Sequence, residues 1–311
     1  MLRFVGQWML IVAVASGCAA PERRALTPPT TDDLVATLPG DLDVAVRVDV
    51  EWLTAELGPS LGQRLLLDLL VGAEDGEATS LLGEALRHSE RLWLGFRLGA
   101  PLEAAEKVLI LRGHFPPSSA TAKVAGGVWV ESAADVRRPH IYRKPAAAGA
   151  LTRVYSRGDQ VSIWVSEAEK AAVEQMLDGI VPEAPLRPPE RGGLSLAAHP
   201  EPLRGRYLRN YPQLAQHFKG VRSLEAHLES LAGHVVLEVE LGFGTPIQAS
   251  NAGEILEQLR LSMAGAACVL GMTAQAAQLS VFDHKVRVSA QLGPGEVRGV
   301  EACVLGGRCC A

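Results

Sequence analysis

Val44-Ala45-Val46-Arg47-Val48-Asp49-Val50 is the stretch that decides the fold class of this 311-residue chain. Valine occupies every second position, and Ala45, Arg47 and Asp49 lie between the valines. This period of two predicts a β-strand with one apolar face and one mixed face. Similar alternation recurs at 92–98, 161–165, 224–229, 235–243 and 281–292, with a hairpin turn predicted at Asp283-His284, and a continuous apolar run at 108–111 predicts a further strand.

Helical patterns lie between the predicted strands. Leucines at helical spacing predict a helix over 61–71, and a second apolar stripe predicts a helix over 252–263 with Asn251 as its cap. Ser166 and Glu169 have the spacing of a capping box, which predicts that a helix begins there. Strands joined by short turns, together with separate helices, indicate an α+β fold.

The order of these elements repeats along the chain. A Pro-rich joint, 181–191, separates a first half, 41–180, from a second half, 192–311. The sequence therefore predicts two similar halves of antiparallel sheet covered by helices, with internal duplication as a hypothesis. The predicted correspondences are 44–50 with 193–198, the pair 90–98 and 106–113 with 221–231 and 234–244, and the pair 152–157 and 160–166 with 276–282 and 285–292.

The N-terminal residues have the pattern of an export signal. Arg3 precedes an apolar run, 8–14, that is shorter than the roughly 20 residues a membrane span needs. The run ends in Ala15-Ser16-Gly17-Cys18, which resembles the lipobox of bacterial lipoproteins, although Ala15 stands where Leu is usual. The resemblance implies a signal peptide over 1–17 and a lipid on Cys18. The alternatives are an ordinary secretory signal cut near Ala20 and an uncleaved anchor.

The lipoprotein resemblance also implies a location. Fatty acyl chains such as palmitate hold a protein to a membrane without spanning it. Ala19 rather than Asp follows Cys18, which favours the outer membrane, facing the periplasm. Residues 18–40 are rich in Pro and lack apolar periodicity, so they predict a flexible tether between the lipid and the folded body.

Composition limits the classes of partner. Hydrophobic residues make up 48% and charged residues 21% of the chain, as in globular proteins. The net charge of −5 lacks the basic excess of nucleic-acid binders. The predicted partners are therefore the membrane, through the anchor, and an envelope protein or polysaccharide, but no nucleic acid.

Familiar catalytic and cofactor motifs do not occur in the sequence, which contains no G-x-S-x-G, H-E-x-x-H, P-loop or G-x-G-x-x-G. We therefore expect no catalytic residue, no cofactor and no metal ion, and we favour a non-enzyme over an enzyme. His227 and His234 are predicted to be structural or solvated. Asp41, Asp43 and Asp49 are of the type that ligates calcium, but no calcium loop frames them, so Asp41 and Asp43 predict a turn.

The densest basic segment lies between 137 and 157. The pattern predicts a solvated hairpin face, with anionic lipid headgroups, surface polysaccharide or an acidic protein as the alternative contacts. Its members are Arg137, Arg138, His140, Arg143, Lys144, Arg153 and Arg157.

Four cysteines remain besides Cys18. They allow three full pairings, and export from the cytoplasm permits disulfides. We expect at least one disulfide to hold the C-terminal tail, with free thiols or a metal or redox site as the alternatives. The four are Cys268, Cys303, Cys309 and Cys310, with Cys303–Cys309 or Cys268 to a tail cysteine as the candidate bonds.

Two segments, 38–49 and 161–169, are similar to parts of the repeated units of uncharacterised bacterial envelope proteins. That resemblance implies no particular activity. The sequence as a whole predicts a membrane-anchored envelope lipoprotein that binds or scaffolds without catalysis. The alternative is an envelope hydrolase with an unrecognised active site.

Overall fold

A computed structural model of the chain describes much of the body between residues 38 and 293. The predicted signal peptide, the predicted helix at 61–71 and all five cysteines lie outside the described residues, as does nearly all of the predicted tether. The described ranges are 38–57, 76–98, 105–115, 129–132, 140–145, 147–180, 186–202, 215–216, 218–231, 234–265 and 269–293.

Strands dominate the described residues. They are β1 (Val44–Asp49), β2 (Ser89–Arg97), β3 (Glu106–Gly113), β4 (Val130–Glu131), β5 (His140–Tyr142), β6 (Leu151–Arg157), β7 (Val161–Ser166), β8 (Leu194–Ala198), β9 (Val221–Leu231), β10 (His234–Phe243), β11 (Ala277–Phe282) and β12 (Lys285–Leu292).

Helices are fewer than strands in the same ranges. A short 3₁₀ helix, Glu167–Glu169, leads into the third α-helix. None of the described helices combines the length and the apolar character that crossing a bilayer requires. The α-helices are α1 (Val50–Leu57), α2 (Gly76–Arg87), α3 (Lys170–Leu177), α4 (Pro246–Ala264) and α5 (Val269–Ala276).

The strands form one twelve-stranded sheet, in the order β11-β12-β10-β9-β8-β1-β2-β3-β7-β6-β5-β4. The coarse prediction of a mixed fold with a large antiparallel sheet and several helices is confirmed. The finer prediction of two similar halves of antiparallel sheet covered by helices is wrong, because one sheet contains all the described strands and the described helices are few. Alternation fixes which face of a strand is apolar, but it does not specify which strand lies beside it.

Two compact units divide the described residues between Arg187 and Pro188. The first unit, up to Arg187, has strands that are buried on both faces. Every residue of β7 is buried, as are Val108 to Leu111 of β3. One face packs against Val173 and Met176 of α3. On the mixed face of β1, Ala45 and Arg47 are also buried, and Arg47 is 8% exposed.

The second unit, from Pro188 onward, has a sheet with two different faces. Helix α4 packs on the apolar face, where Ala249, Ala252 and Leu256 are buried. Gly253 lies on the same helix against Val281 of β11, so close that a Cβ there would collide with the valine. The opposite face carries the charged residues of β9, β10 and β12, because these alternate with the apolar residues.

The two units follow one scheme of strand connection. In the first unit the neighbouring strands run β1-β2-β3-β7-β6, and in the second they run β8-β9-β10-β12-β11. Each series begins with a single strand, which is followed by two strands in chain order. It ends with two later strands in reverse order, so the second of these in the chain lies beside the earlier pair. Strands β4 and β5 extend the first series beyond β6.

Of the two predicted helix starts, the one at Ser166 is confirmed in position but not in its cap, and the one at Asn251 is wrong. Ser166 makes no side-chain cap and instead exchanges hydrogen bonds with the backbone of Lys107, 2.9 Å from its nitrogen and 3.2 Å from its oxygen. Helix α4 begins at Pro246, capped by the Thr245 hydroxyl, so that Asn251 lies within the helix. The local spacing is compatible with a cap in both places. However, the Ser166 side chain bonds to Lys107 instead, and the helix that contains Asn251 begins earlier, at Pro246.

The predicted hairpin turn is confirmed. Asp283 and His284 join β11 to β12, and Phe282 lies opposite Lys285. Asp283 has a φ of 51°, which suits the tight turn between two twisted strands. The predicted turn at Asp41 is also confirmed, since the Leu42 amide donates to the Pro39 carbonyl at 3.5 Å.

Candidate functional site

The richest group of polar side chains in the second unit lies on the charged face of its sheet. Strand pairing places Glu238 opposite His227, and Glu240 opposite Arg287. We call this group the charged face and define it by Arg191, His227, Glu238, Glu240, Lys285 and Arg287.

Ion pairs connect the carboxylates of the charged face to its cations. Glu240 accepts hydrogen bonds from Lys285 and, at 3.1 Å, from Arg287. Glu238 accepts from Arg191 at 2.7 Å and lies 3.5 Å from the Arg287 guanidinium. Each carboxylate therefore has two cationic partners, and the shared Arg287 links the two groups into a network.

The network holds Glu240 in its ionised form. Burial by itself raises the pKa of Glu240, but hydrogen bonds from Lys285 and Arg287 outweigh it, so the net pKa is lower than usual. A carboxylate in this state does not hold a proton to donate near neutral pH. The charged face can therefore present a fixed ionic pattern, but Glu240 is unsuited to general-acid chemistry.

His227 lies opposite Glu238 in the charged face and is buried, with 2% of its surface exposed. Its Nε2 atom has no hydrogen-bond partner in the described part of the chain. Burial lowers the pKa of His227, and Arg191 adds to the lowering, while Glu238 and Glu229 partly oppose it. The imidazole is therefore kept neutral, although Arg191, Glu238 and Glu229 are charged groups close enough to act on it.

The segment before β8 lies against β9 beside His227. Gly193 donates from its backbone to the Leu228 carbonyl at 2.8 Å, and Ser195, which pairs opposite His227, donates to the Pro189 carbonyl at 2.6 Å. Gly192 has a φ of +73°, and a Cβ there would collide with the Leu228 carbonyl. Only glycine permits this approach, which keeps the segment close to the histidine.

The structure separates the three aspartates that invited a calcium interpretation. Asp41 pairs with Arg97, Asp43 accepts from the Leu98 amide at 2.7 Å, and Asp49 accepts from the Trp52 amide at 3.0 Å. Within the described residues, no group of three or more His, Cys, Asp or Glu side chains comes together as metal ligands.

The basic segment does not form one surface. Arg143 is buried, donates to the Leu151 carbonyl at 2.9 Å and lies 5.1 Å from the ring centre of Trp129. Arg153 pairs with Glu167 at 2.9 Å. The prediction of an outward-facing basic hairpin is wrong for these two residues, because they have structural partners. Arg137 and Arg138 lie outside the described residues.

The two histidines of β9 and β10 do not share a site. His227 pairs opposite Glu238, whereas His234 pairs opposite Leu231. Four positions along a strand separate them, which corresponds to about 13 Å. Cys18 and the four candidate disulfide cysteines lie outside the described residues, so their roles stay predictions.

Sequence reasoning missed one buried ion pair. Glu169 is 1% exposed and receives two hydrogen bonds from Arg97, at 2.7 and 3.3 Å. The two residues are 72 positions apart, whereas the sequence pattern predicts that Glu169 forms a capping box with Ser166. Its spacing from Ser166 gave a plausible local partner, and no local signal indicates the distant one.

Comparison with known proteins identifies similar structures but no family. No family model matches the chain, and no curated protein matches it. Crystal form I of TP0453 is similar, with a TM-score of 0.51 at 12% identity over 90% of this chain and 99% of that chain. Crystal form III has a TM-score of 0.50 at 10% identity over 90% and 100%. Crystal form IV has a TM-score of 0.50 at 12% identity over 88% and 95%. At such identities the likeness concerns the fold alone, so the chain has a fold similar to that of TP0453.

Proposed function

We propose that this protein is a lipid-anchored protein of the bacterial cell envelope that binds or scaffolds a partner without catalysis. The observation that carries the proposal is the run Ala15-Ser16-Gly17-Cys18 directly after a short apolar core and Arg3. Cys18 carries the lipid, residues 19–37 form the tether, and the body, whose buried core includes Leu38, faces the periplasm from the outer membrane.

The state of the polar groups supports a binding role over hydrolysis. A hydrolase needs an acid or base whose proton is free to move at an accessible position. Glu240 is instead paired with two cations, and His227 is buried opposite Ser195 of β8. The ionic pattern of the charged face suits recognition of an envelope protein or a polysaccharide, and an envelope hydrolase is the less favoured alternative.

We also propose that the body arose by internal duplication. The support is the shared connection scheme, β1-β2-β3-β7-β6 and β8-β9-β10-β12-β11, which follows the correspondences seen in the sequence. In this proposal the two series are copies of one ancestral unit whose residues have since diverged.

Replacing Cys18 tests the anchor. The Cys18→Ala variant should lose both the membrane association and the incorporation of labelled palmitate, because acyl chains supply the attachment. Fractionation of cells that express either form is the measurement. Cys303→Ala is the matched control, since it removes a cysteine outside the lipobox and should leave both readouts unchanged. Membrane retention of Cys18→Ala would overturn the proposed anchor.

Crosslinking in intact cells tests the binding role. The proposal expects a reproducible envelope partner whose crosslinking falls when the charged face is altered, for example in Arg191→Glu. Arg191 is half-exposed, so the substitution reverses a surface charge without opening the core. Crosslinks unchanged in Arg191→Glu would contradict the assignment of the charged face to binding.

A further inference from the structure

Strand β11 ends the twelve-stranded sheet on one side. Among the described strands its neighbour is β12 alone, with an uninterrupted register from Ala277 to Phe282. Its sequence, Ala-Gln-Leu-Ser-Val-Phe, contains no charged residue and no proline. Edge strands that remain alone are commonly protected by charges, prolines or bulges, and β11 has none of these within its bounds.

The hairpin geometry shows which backbone groups of β11 face outward. In a two-residue hairpin the residues that flank the turn exchange hydrogen bonds, and here these are Phe282 and Lys285. Bonding alternates along an antiparallel pair, so Ser280 and Gln278 also bond to β12. The amides and carbonyls of Leu279 and Val281 consequently point away from β12.

The side chains at this edge are apolar as well as uncharged. Val281 and Phe282 are 42% and 39% exposed, which is high for large hydrophobic residues at adjacent positions. Antiparallel pairing sets equivalent faces opposite each other, so an incoming strand with its own apolar residues would cover this edge.

We propose that β11 pairs antiparallel with β11 of a second copy of this chain, about a two-fold axis at Ser280. In this register Val281 lies opposite the partner's Leu279, and Leu279 lies opposite the partner's Val281. The outward backbone groups of these residues then exchange hydrogen bonds across the axis. A second copy fits because the strand carries no charge to repel itself, and because Leu279 and Val281 lie opposite each other when the strand pairs with its own reverse.

Sedimentation equilibrium of the purified full chain tests the pairing. Measurements under reducing conditions exclude disulfides between copies. The wild type should show a reversible monomer–dimer equilibrium, and Val281→Lys should weaken it by at least about tenfold, because two lysines enter the paired edge. Leu231→Lys is the matched control, since Leu231 is 56% exposed at the end of β9, which lies between β8 and β10.

A second variant keeps the test valid if Val281→Lys fails to fold. Ser280→Glu places a carboxylate opposite Arg287 within one copy, which favours the fold. Across the two-fold axis, the same carboxylate lies opposite the carboxylate of the second copy and is repelled by it. It should therefore weaken the dimer at low salt while circular dichroism stays unchanged. A wild type that remains monomeric, or a dimer that a folded Ser280→Glu leaves unweakened, would overturn the proposal.

Discussion

Arg97 joins parts of the first unit that are distant in sequence. Its guanidinium binds the buried carboxylate of Glu169, and the same side chain pairs with Asp41 before β1. The hydrogen bond to Glu169 is the main cause that raises the pKa of Arg97 above its usual value, so the cation is permanent. The buried Glu169 carboxylate is stabilised by this partner, because a buried carboxylate without a partner is costly.

Removing this cation should destabilise the first unit. Arg97→Ala should lower the free energy of unfolding by about 2 to 3 kcal/mol, below the full effect of a buried pair because Arg97 itself is half-exposed. Asp41→Asn removes only the exposed pair and should cost less than about 1 kcal/mol. Urea unfolding at neutral pH measures both. Equal effects of the two substitutions would contradict the role given to Glu169.

His227 should make stability depend on pH. Because its folded-state pKa is lowered, the unfolded chain takes up a proton at a higher pH than the folded chain does. The contribution of His227 to the free energy of unfolding is therefore complete above the usual histidine pKa of about 6.5. It decreases as the pH falls through that value. Urea unfolding between about pH 7.5 and 5.5 should show this loss, and His227→Gln should reduce the slope. Parallel pH profiles for the two proteins would be the contrary result.

Helix α4 shows how an element's start is decided. The Thr245 hydroxyl accepts from the Gln248 amide at 3.3 Å, and Pro246 follows at the first helical position. Both are typical of a helix N-terminus. The sequence pattern predicts a start at Asn251 instead, because the apolar stripe begins at Ala252.

Two substitutions distinguish these helix starts. Thr245→Ala should lower the free energy of unfolding by about 1 kcal/mol, because it removes the acceptor for an otherwise unsatisfied amide. Asn251→Ala should be neutral or slightly stabilising, since alanine is the better residue inside a helix. Thermal unfolding followed by circular dichroism compares them. A larger loss in Asn251→Ala would place the helix start near residue 251.

The whole sheet should unfold locally from its edges. Strands β2 and β3 lie between other strands and include the fully buried Leu92, Leu94, Leu109 and Leu111. Strand β4 has two exposed residues, and β11 has one described neighbour. Local stability follows burial and backbone bonding, so amide hydrogen exchange should be slowest in β2 and β3 and fastest in β4 and β11.

The exchange measurement is made at low protein concentration, where β11 is not paired with a second copy. The outward amides of Leu279 and Val281 should then exchange much faster than that of Ile110 in β3. Protection of β11 equal to that of β3 under these conditions would contradict the sheet order at that edge.

The sequence by itself determined the features that depend on neighbouring residues. The alternation at Val44–Asp49 requires a strand, and Asp283-His284 between two alternating runs requires a hairpin. Both follow from backbone geometry within a few residues. The apolar run before Cys18 is likewise local and predicts an anchor.

Only the tertiary structure decided the features that depend on distant residues. It placed β7 rather than β6 beside β3, paired Glu169 with Arg97 and buried His227 opposite Ser195 and Glu238. Alternation gives every strand an apolar face but does not specify which strands pair with it. A carboxylate binds whichever cation the folded chain places beside it. These choices depend on the free energy of the assembled sheet and core, to which residues far apart in the chain contribute together.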